Sequence, residues 1–136
     1  MADSRHARGL IDTSVVIDLE LIEAADLPGE IAVSAITMAE LAAGPHATAD
    51  PAECARRQDR LQRAEATFEP LPVDAAVARA YGRIYAAVGA AGRKARGRRA
   101  VDLFIAATAV AAGLPLYTRN PDDFAGLSEI LEVVRV

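Results

Sequence analysis

The sequence predicts an α/β domain with a mostly parallel sheet, on three observations. Short apolar runs bounded by polar residues alternate with longer stretches in which apolar residues recur at helical spacing. Gly44-Pro45, Gly113 and Asn120-Pro121 close the runs, as residues that stop helices or start turns do. Four acidic residues, Asp12, Glu40, Asp102 and Asp123, each stand at a strand end or a helix start. In parallel sheets, ligands bind beyond the carboxyl ends of the strands.

The first element is GLID, residues 9–12, a short buried strand. TSVVIDLELIEA follows and can begin a helix after Asp12, although its β-branched residues blur the boundary. IAVSA, residues 31–35, reads as a second buried strand. A helix from Thr37 to Ala43 comes next, with Thr37-Met38-Ala39-Glu40 matching the capping box in which the Glu reaches back to the cap amide. Residues 51–66 carry apolar and basic residues at helical spacing, and the prolines of FEPLPV, residues 68–73, suit an edge position. Residues 74–91 form an amphipathic helix built around Val77, Tyr81, Ile84, Tyr85 and Val88. Residues 92–99 read as an exposed loop, and 101–112 as a helix buried on most sides, stopped by Gly113. LPLYT is a strand, NPDDF a turn and LEVVRV a final strand.

The 136 residues fit a single domain spanning 1–136, with 1–8 as a flexible N-terminus. With no Trp, three Phe and three Tyr, a base-stacking platform for single strands is not expected. A net charge of −4 argues against general nucleic-acid binding. The cations are uneven, however. RKARGRR places Arg93, Lys94, Arg96, Arg98 and Arg99 within seven positions, and Arg56, Arg57, Arg60 and Arg63 form a second group. Either could guide a polyanion. One cysteine, Cys54, makes no internal disulfide, and His6 and His46 lack zinc-like spacing. The polar start and the absence of a membrane-length apolar run lead to an expected cytoplasmic location without membrane contact.

Each acid has a structural explanation of its own. Asp12 can cap the following helix, Glu40 can close a capping box, Asp102 can serve a helix dipole, and Asp122 and Asp123 can be turn residues. The conjunction says more. Caps could equally be Ser or Thr, which do not repel one another, whereas carboxylates that converge call for a hard cation with oxygen ligands. Thr13 and Ser14 are expected to support the first carboxylate rather than attack, since no His-based triad is evident. Thr118 and Asn120 are expected to support the last.

On LIDTSVVID, SAITMAELAAG, VDLFIAATA and TRNPDDF, in that order, the chain resembles PIN-domain ribonucleases, and particularly the VapC toxins of bacterial toxin–antitoxin pairs. The resemblance implies a three-layer α/β/α sandwich that cuts RNA with Mg²⁺ or Mn²⁺. It implies that Asp12, Glu40, Asp102 and Asp123 form the catalytic set, with Asp12 and Asp102 as principal metal ligands. Asn120 stands where some relatives carry another Asp, and by the resemblance would be a neutral ligand or water holder. The implied partners are a VapB-like antitoxin, RNA and a second copy of the chain, with DNA contacted only through the antitoxin. The five cations of RKARGRR, with the Arg56–Arg63 face, would hold the RNA backbone.

The alternative is a non-catalytic PIN-like module that binds RNA or protein. Such a module would tolerate Asp12→Asn. A phosphatase with an aspartyl nucleophile would want a second acid where Ser14 stands, and a receiver domain would want a lysine where Arg119 stands.

Overall fold

Side chains alternate across a strand, so a strand with consecutive apolar residues must be covered on both faces. The computed structural model describes residues 6–93 and 97–136. Its four short strands are β1 (Arg8–Ile11), β2 (Glu30–Ala32), β3 (Leu116–Thr118) and β4 (Val133–Arg135), all parallel in the order β2-β1-β3-β4. The helices are α1 (Thr13–Ile17), α2 (Ala35–Ala43), α3 (Pro51–Thr67), α4 (Ala75–Ala90) and α5 (Arg98–Ala112).

Leu10, Ala32 and Leu116 face one side and pack with Val77, Ala80, Ile84 and Val88 of α4 and Leu103, Ala106 and Ala107 of α5. Ile11, Val33 and Tyr117 face the other side with Val15 and Val16 of α1, Leu41 of α2 and Ala64 of α3. The result is the expected three-layer α/β/α sandwich. Each fully buried Leu, Ile or Val stabilises by roughly 1.5–3 kcal/mol, so two such layers easily outweigh the weak pairing of three-residue strands. Gly9 is required by this packing. A Cβ there would stand 2.7 Å from the Tyr117 ring and 3.1 Å from Pro28.

Several boundaries differ from the sequence reading. The helix after β2 begins at Ala35, and its cap is Ser34, whose Oγ accepts from the Ile36 amide at 3.0 Å. The Thr37 capping box is therefore not formed. Thr37 is fully buried inside the helix, and Glu40 sits in the second turn. α1 stops at Ile17, followed by 3₁₀ turns at Leu19–Leu21 and Ala24–Asp26. α5 begins at Arg98 instead of 101, behind Gly97 at φ 56°, so Arg98 and Arg99 are helical and Asp102 lies in the second turn. Tyr85 is not on the buried face of α4; it is 58% exposed, and Ala80 takes its place. Leu71 of FEPLPV bridges to Ser34 beside the end of β2, an edge position as expected.

At the N-terminus, residues 1–5 of the expected flexible segment lie outside the described residues. His6 and Ala7, by contrast, accept from the Gly29 and Glu30 amides at 2.9 and 2.8 Å, so they are held against the entry to β2.

Candidate active site

The chain runs from β1 outward to β2, then returns across β1 to β3. The carboxyl ends of β1 and β3 therefore border a topological switch point, where neighbouring connections depart in opposite directions and leave a crevice. The Asp12 amide donates to the Tyr117 carbonyl at 3.0 Å, closing the sheet at this end.

Asp12 is only 6% exposed. It caps α1, with Oδ1 accepting from the Val15 amide at 3.1 Å and from the Ser14 hydroxyl at 2.6 Å. The capping role foreseen as its plain explanation is real, and it occupies one carboxylate oxygen. Ser14 also accepts from the Arg119 amide at 3.2 Å, which ties the segment after β3 to Asp12.

Glu40 reaches α1 rather than its own helix start. Its Oε1 accepts from Thr13 Oγ1 at 2.5 Å, while Thr37 Oγ1 lies 3.1 Å from the same hydroxyl. A hydroxyl has one proton, so the shorter, charged contact takes it. Thr37 is thus part of the network, though the sequence reading saw only a cap. Its position one helical turn before Glu40 was the available signal.

Asp102 records the convergence. Burial first, then the charges of Asp123 and Glu40, push its carboxyl up to about 6; Arg98 pulls the other way and Asp12 adds to the rise. Charges from the end of β1, from α2 and from the turn after β3 therefore all act on this one carboxyl near the start of α5. Asp123 lies in the 3₁₀ turn Pro121–Phe124, and its carbonyl accepts from Arg99 Nη1 at 3.1 Å. Asp122 is the exposed member of that pair. Thr118 is fully buried, and its Oγ1 accepts from the Asn120 amide at 3.0 Å. Asn120 in turn accepts from the Asp123 amide through its carbonyl at 3.0 Å.

The cations divide. Arg98 lines a cleft beside Glu40, and Arg99 braces the Asp123 turn. Arg93 is exposed just beyond α4, and Lys94 and Arg96 lie outside the described residues. On α3, Arg56 pairs with Glu53, Arg57 with Glu53 and the Gly44 carbonyl, and Arg63 with Asp59 and Glu20.

Among the described residues, no group of three or more His, Cys, Asp or Glu side chains is arranged to hold a metal ion by itself. The donor chemistry nevertheless fits one class of ion. It offers carboxylates, hydroxyls and an amide without thiol or imidazole, and Mg²⁺ is held through one or two carboxylates with water completing the octahedron. Asp12 and Asp102 carry carboxylates of this chemical kind, and one oxygen of Asp12 is free of the cap bonds.

The fold defines a class: a parallel α/β sandwich with carboxylates near the carboxyl ends of its central strands. The chain belongs to the PIN domain family, whose profile matches residues 10–129. It is 37% identical over 135 residues to Ribonuclease VapC5 of Mycobacterium tuberculosis, covering 96% of each chain. Ribonuclease VapC4 of the same organism is 35% identical over 133 residues, covering 95% of this chain and 97% of the relative. The crystal structure of VapBC-5, a member of the VapBC family of toxin–antitoxin systems from Mycobacterium tuberculosis, superposes with a TM-score of 0.81 at 36% identity. That match covers 96% of this chain and 99% of that one.

Proposed function

We propose that the chain is a Mg²⁺-dependent endoribonuclease and the toxin of a type II toxin–antitoxin pair. The observation that carries this reading is that the half-buried Asp102 carboxyl feels the charges of Asp123, Glu40 and Asp12, which come from three other segments of the chain. Family membership and relatives named as ribonucleases support it.

Asp12 and Asp102 would hold the cation, with Mn²⁺ as a substitute. When bound, it would neutralise a phosphate oxygen and stabilise charge developing at phosphorus. Glu40, aligned by Thr13, and Asp123, on a turn braced by Arg99, would orient a water for in-line attack and accept its proton. The water oxygen bonds to phosphorus as the bond to the 3′-oxygen breaks. That oxygen takes up a proton from solvent, to which the accepting carboxylate returns the one it took, giving 5′-phosphate and 3′-hydroxyl ends. Ser14 and Thr118 would act through Asp12 and the Asp123 turn, fixing their positions. Asn120 would hold a water or serve as a neutral ligand.

A VapB-like antitoxin is the proposed protein partner, supported by the VapBC-5 complex, and any DNA contact would go through it. The protein is proposed to be a cytoplasmic homodimer. No helix among the described residues is long and apolar enough to cross a membrane.

The test is cleavage of single-stranded RNA by purified protein in Mg²⁺ against chelator, with Asp12→Asn and Asp102→Asn followed by circular dichroism. Both variants should fold and lose cleavage. Undiminished cleavage in both would overturn the reading in favour of another mechanism. Undiminished cellular toxicity of Asp12→Asn would favour the binding-only module.

A further inference from the structure

A cleft of about 330 Å³ opens beside the acidic cluster, lined by Thr13, Glu40, Glu53, Arg57, Arg60 and Arg98. The sequence reading assigned cations to RNA by their runs along the chain. The fold regroups them. Arg57 and Arg60 from α3 meet Arg98 from α5 across this cleft. Arg56 and Arg63, from the same run on α3, are not among its lining residues.

Resting on the ribonuclease reading, we propose that this cleft is a phosphate subsite, taking a backbone phosphate of single-stranded RNA next to the one being cut. Three cations face two carboxylates there, so the lining favours an anion. Arg57 is built for the task. Its Nε donates to Glu53 at 3.2 Å and its Nη1 to the Gly44 carbonyl at 2.9 Å, so the guanidinium plane is held before any ligand arrives. With Nε and one Nη1 hydrogen engaged, Nη2 and the other Nη1 hydrogen remain to donate to phosphate oxygens, and the fixed plane loses little rotamer freedom on binding. Glu53 is kept ionised by its hydrogen bonds to Arg56 and Arg57, which hold its carboxyl below the ordinary value. Arg60 makes no ion pair among the described residues. Its charge is available to a ligand. Glu40 and Thr13 belong both to this cleft and to the acidic cluster, so a strand leaving the cut phosphate passes directly into it.

The test measures binding apart from cleavage. Full-length protein carrying Asp12→Asn is titrated into a fluorescein-labelled single-stranded RNA, by anisotropy, over a series of salt concentrations. Adding Arg60→Gln should weaken binding about tenfold, the order of one charged hydrogen bond to phosphate. It should also reduce the slope of log affinity against log salt by about 0.7, one phosphate contact on a single strand. Arg60→Lys should keep the slope. Arg57→Lys should keep the slope while losing affinity, because a point charge replaces the fork. Arg83→Gln, on the exposed face of α4, is the control and should change neither quantity.

The proposal is overturned if Arg60→Gln binds RNA as its parent does, or if Arg83→Gln weakens binding equally, which would mean diffuse attraction. It is also overturned if Arg60→Gln leaves RNA binding intact and instead weakens a polyglutamate peptide, since the cleft would then take protein carboxylates. Failure of the catalytic reading looks different: the unmutated chain would cut no RNA in Mg²⁺, while the Arg60 dependence of binding persisted.

Discussion

Asp12 carries two duties on one side chain, and substitutions can separate them. Asparagine keeps an oxygen for the Val15 amide and the Ser14 hydroxyl, but removes the charge. Alanine removes both. Asp12→Ala is therefore expected to lose about 1 kcal/mol of stability through the missing cap, while Asp12→Asn keeps the parent's urea midpoint; both lose cleavage. Asp102 poses the opposite problem. Its folded-state carboxyl sits at about 6, above the ordinary value of 3.8, so between those values the folded protein binds more protons than the unfolded chain. Stability of the metal-free protein then falls as pH rises through this window, and the loss is complete above it. Thermal melts in chelator at pH 5 and pH 7 should show this fall, Asp102→Asn should flatten it, and added Mg²⁺ should reverse it at pH 7. An unchanged pH slope in Asp102→Asn would show that the crowding lies elsewhere. Sequence inspection found these acids because carboxylates at strand ends are conspicuous. It did not find Thr37, whose hydroxyl matters only once α1 and α2 are packed together.

Element order and type were legible because both are written in apolar spacing, but the ends of elements depend on contacts made later. Thr37 and Ser34 are both plausible caps in sequence; Ser34 serves because it ends the β2 segment, bridged to Leu71 and bonded to the Ile36 amide. Arg98 and Arg99 looked like loop because their run is charged and glycine-flanked. Gly97, at positive φ, instead lets the chain turn into α5 one helical turn earlier. That shift moves Asp102 inward and brings Arg98 to the cleft, two consequences no local pattern announces. The sheet leaves its own prediction. Gly9→Ala would push a methyl into the Tyr117 ring, whose carbons lie 2.7 and 2.9 Å from the added atom. Overpacking of this kind costs about 1–3 kcal/mol, and urea unfolding should show it without change in the helical signal of the folded state. A neutral result would mean that Tyr117 moves aside freely, contrary to its full burial between β1 and α1.

At the scale of the molecule, apolar surface remains after the core is filled. Leu21 is 77% exposed and Tyr85 58%, the latter beside Tyr81, which stacks on Phe104 at 4.1 Å. A second copy of the chain is the expected cover for part of it. Light scattering at micromolar concentration should give twice the mass of the 14.3 kDa chain; a single-chain mass would refute the dimer. The carboxylates around Asp102 make a separate demand on the proposed antitoxin. Carboxylates without a full complement of cation attract a guanidinium, which can bind one of them through two hydrogen bonds. Replacing the antitoxin's arginines by alanine one at a time should relieve inhibition at one position, and raised Mg²⁺ should compete with that residue alone. If every such replacement leaves inhibition intact, the antitoxin acts without entering the pocket.

The stitch between Ser14 and Arg119 joins residues 105 positions apart. Contacts so distant in sequence close late in folding, since the intervening loop loses its freedom before the contact can form. Helices can appear early from local spacing, yet β1 finds β3 only when nearly the whole chain has been made and gathered. The four carboxylates proposed for catalysis are spread in the same way, so a fragment that lacked either end of the chain would not hold the set. On that reading, the chain would cut no RNA until β1 and β3 have paired.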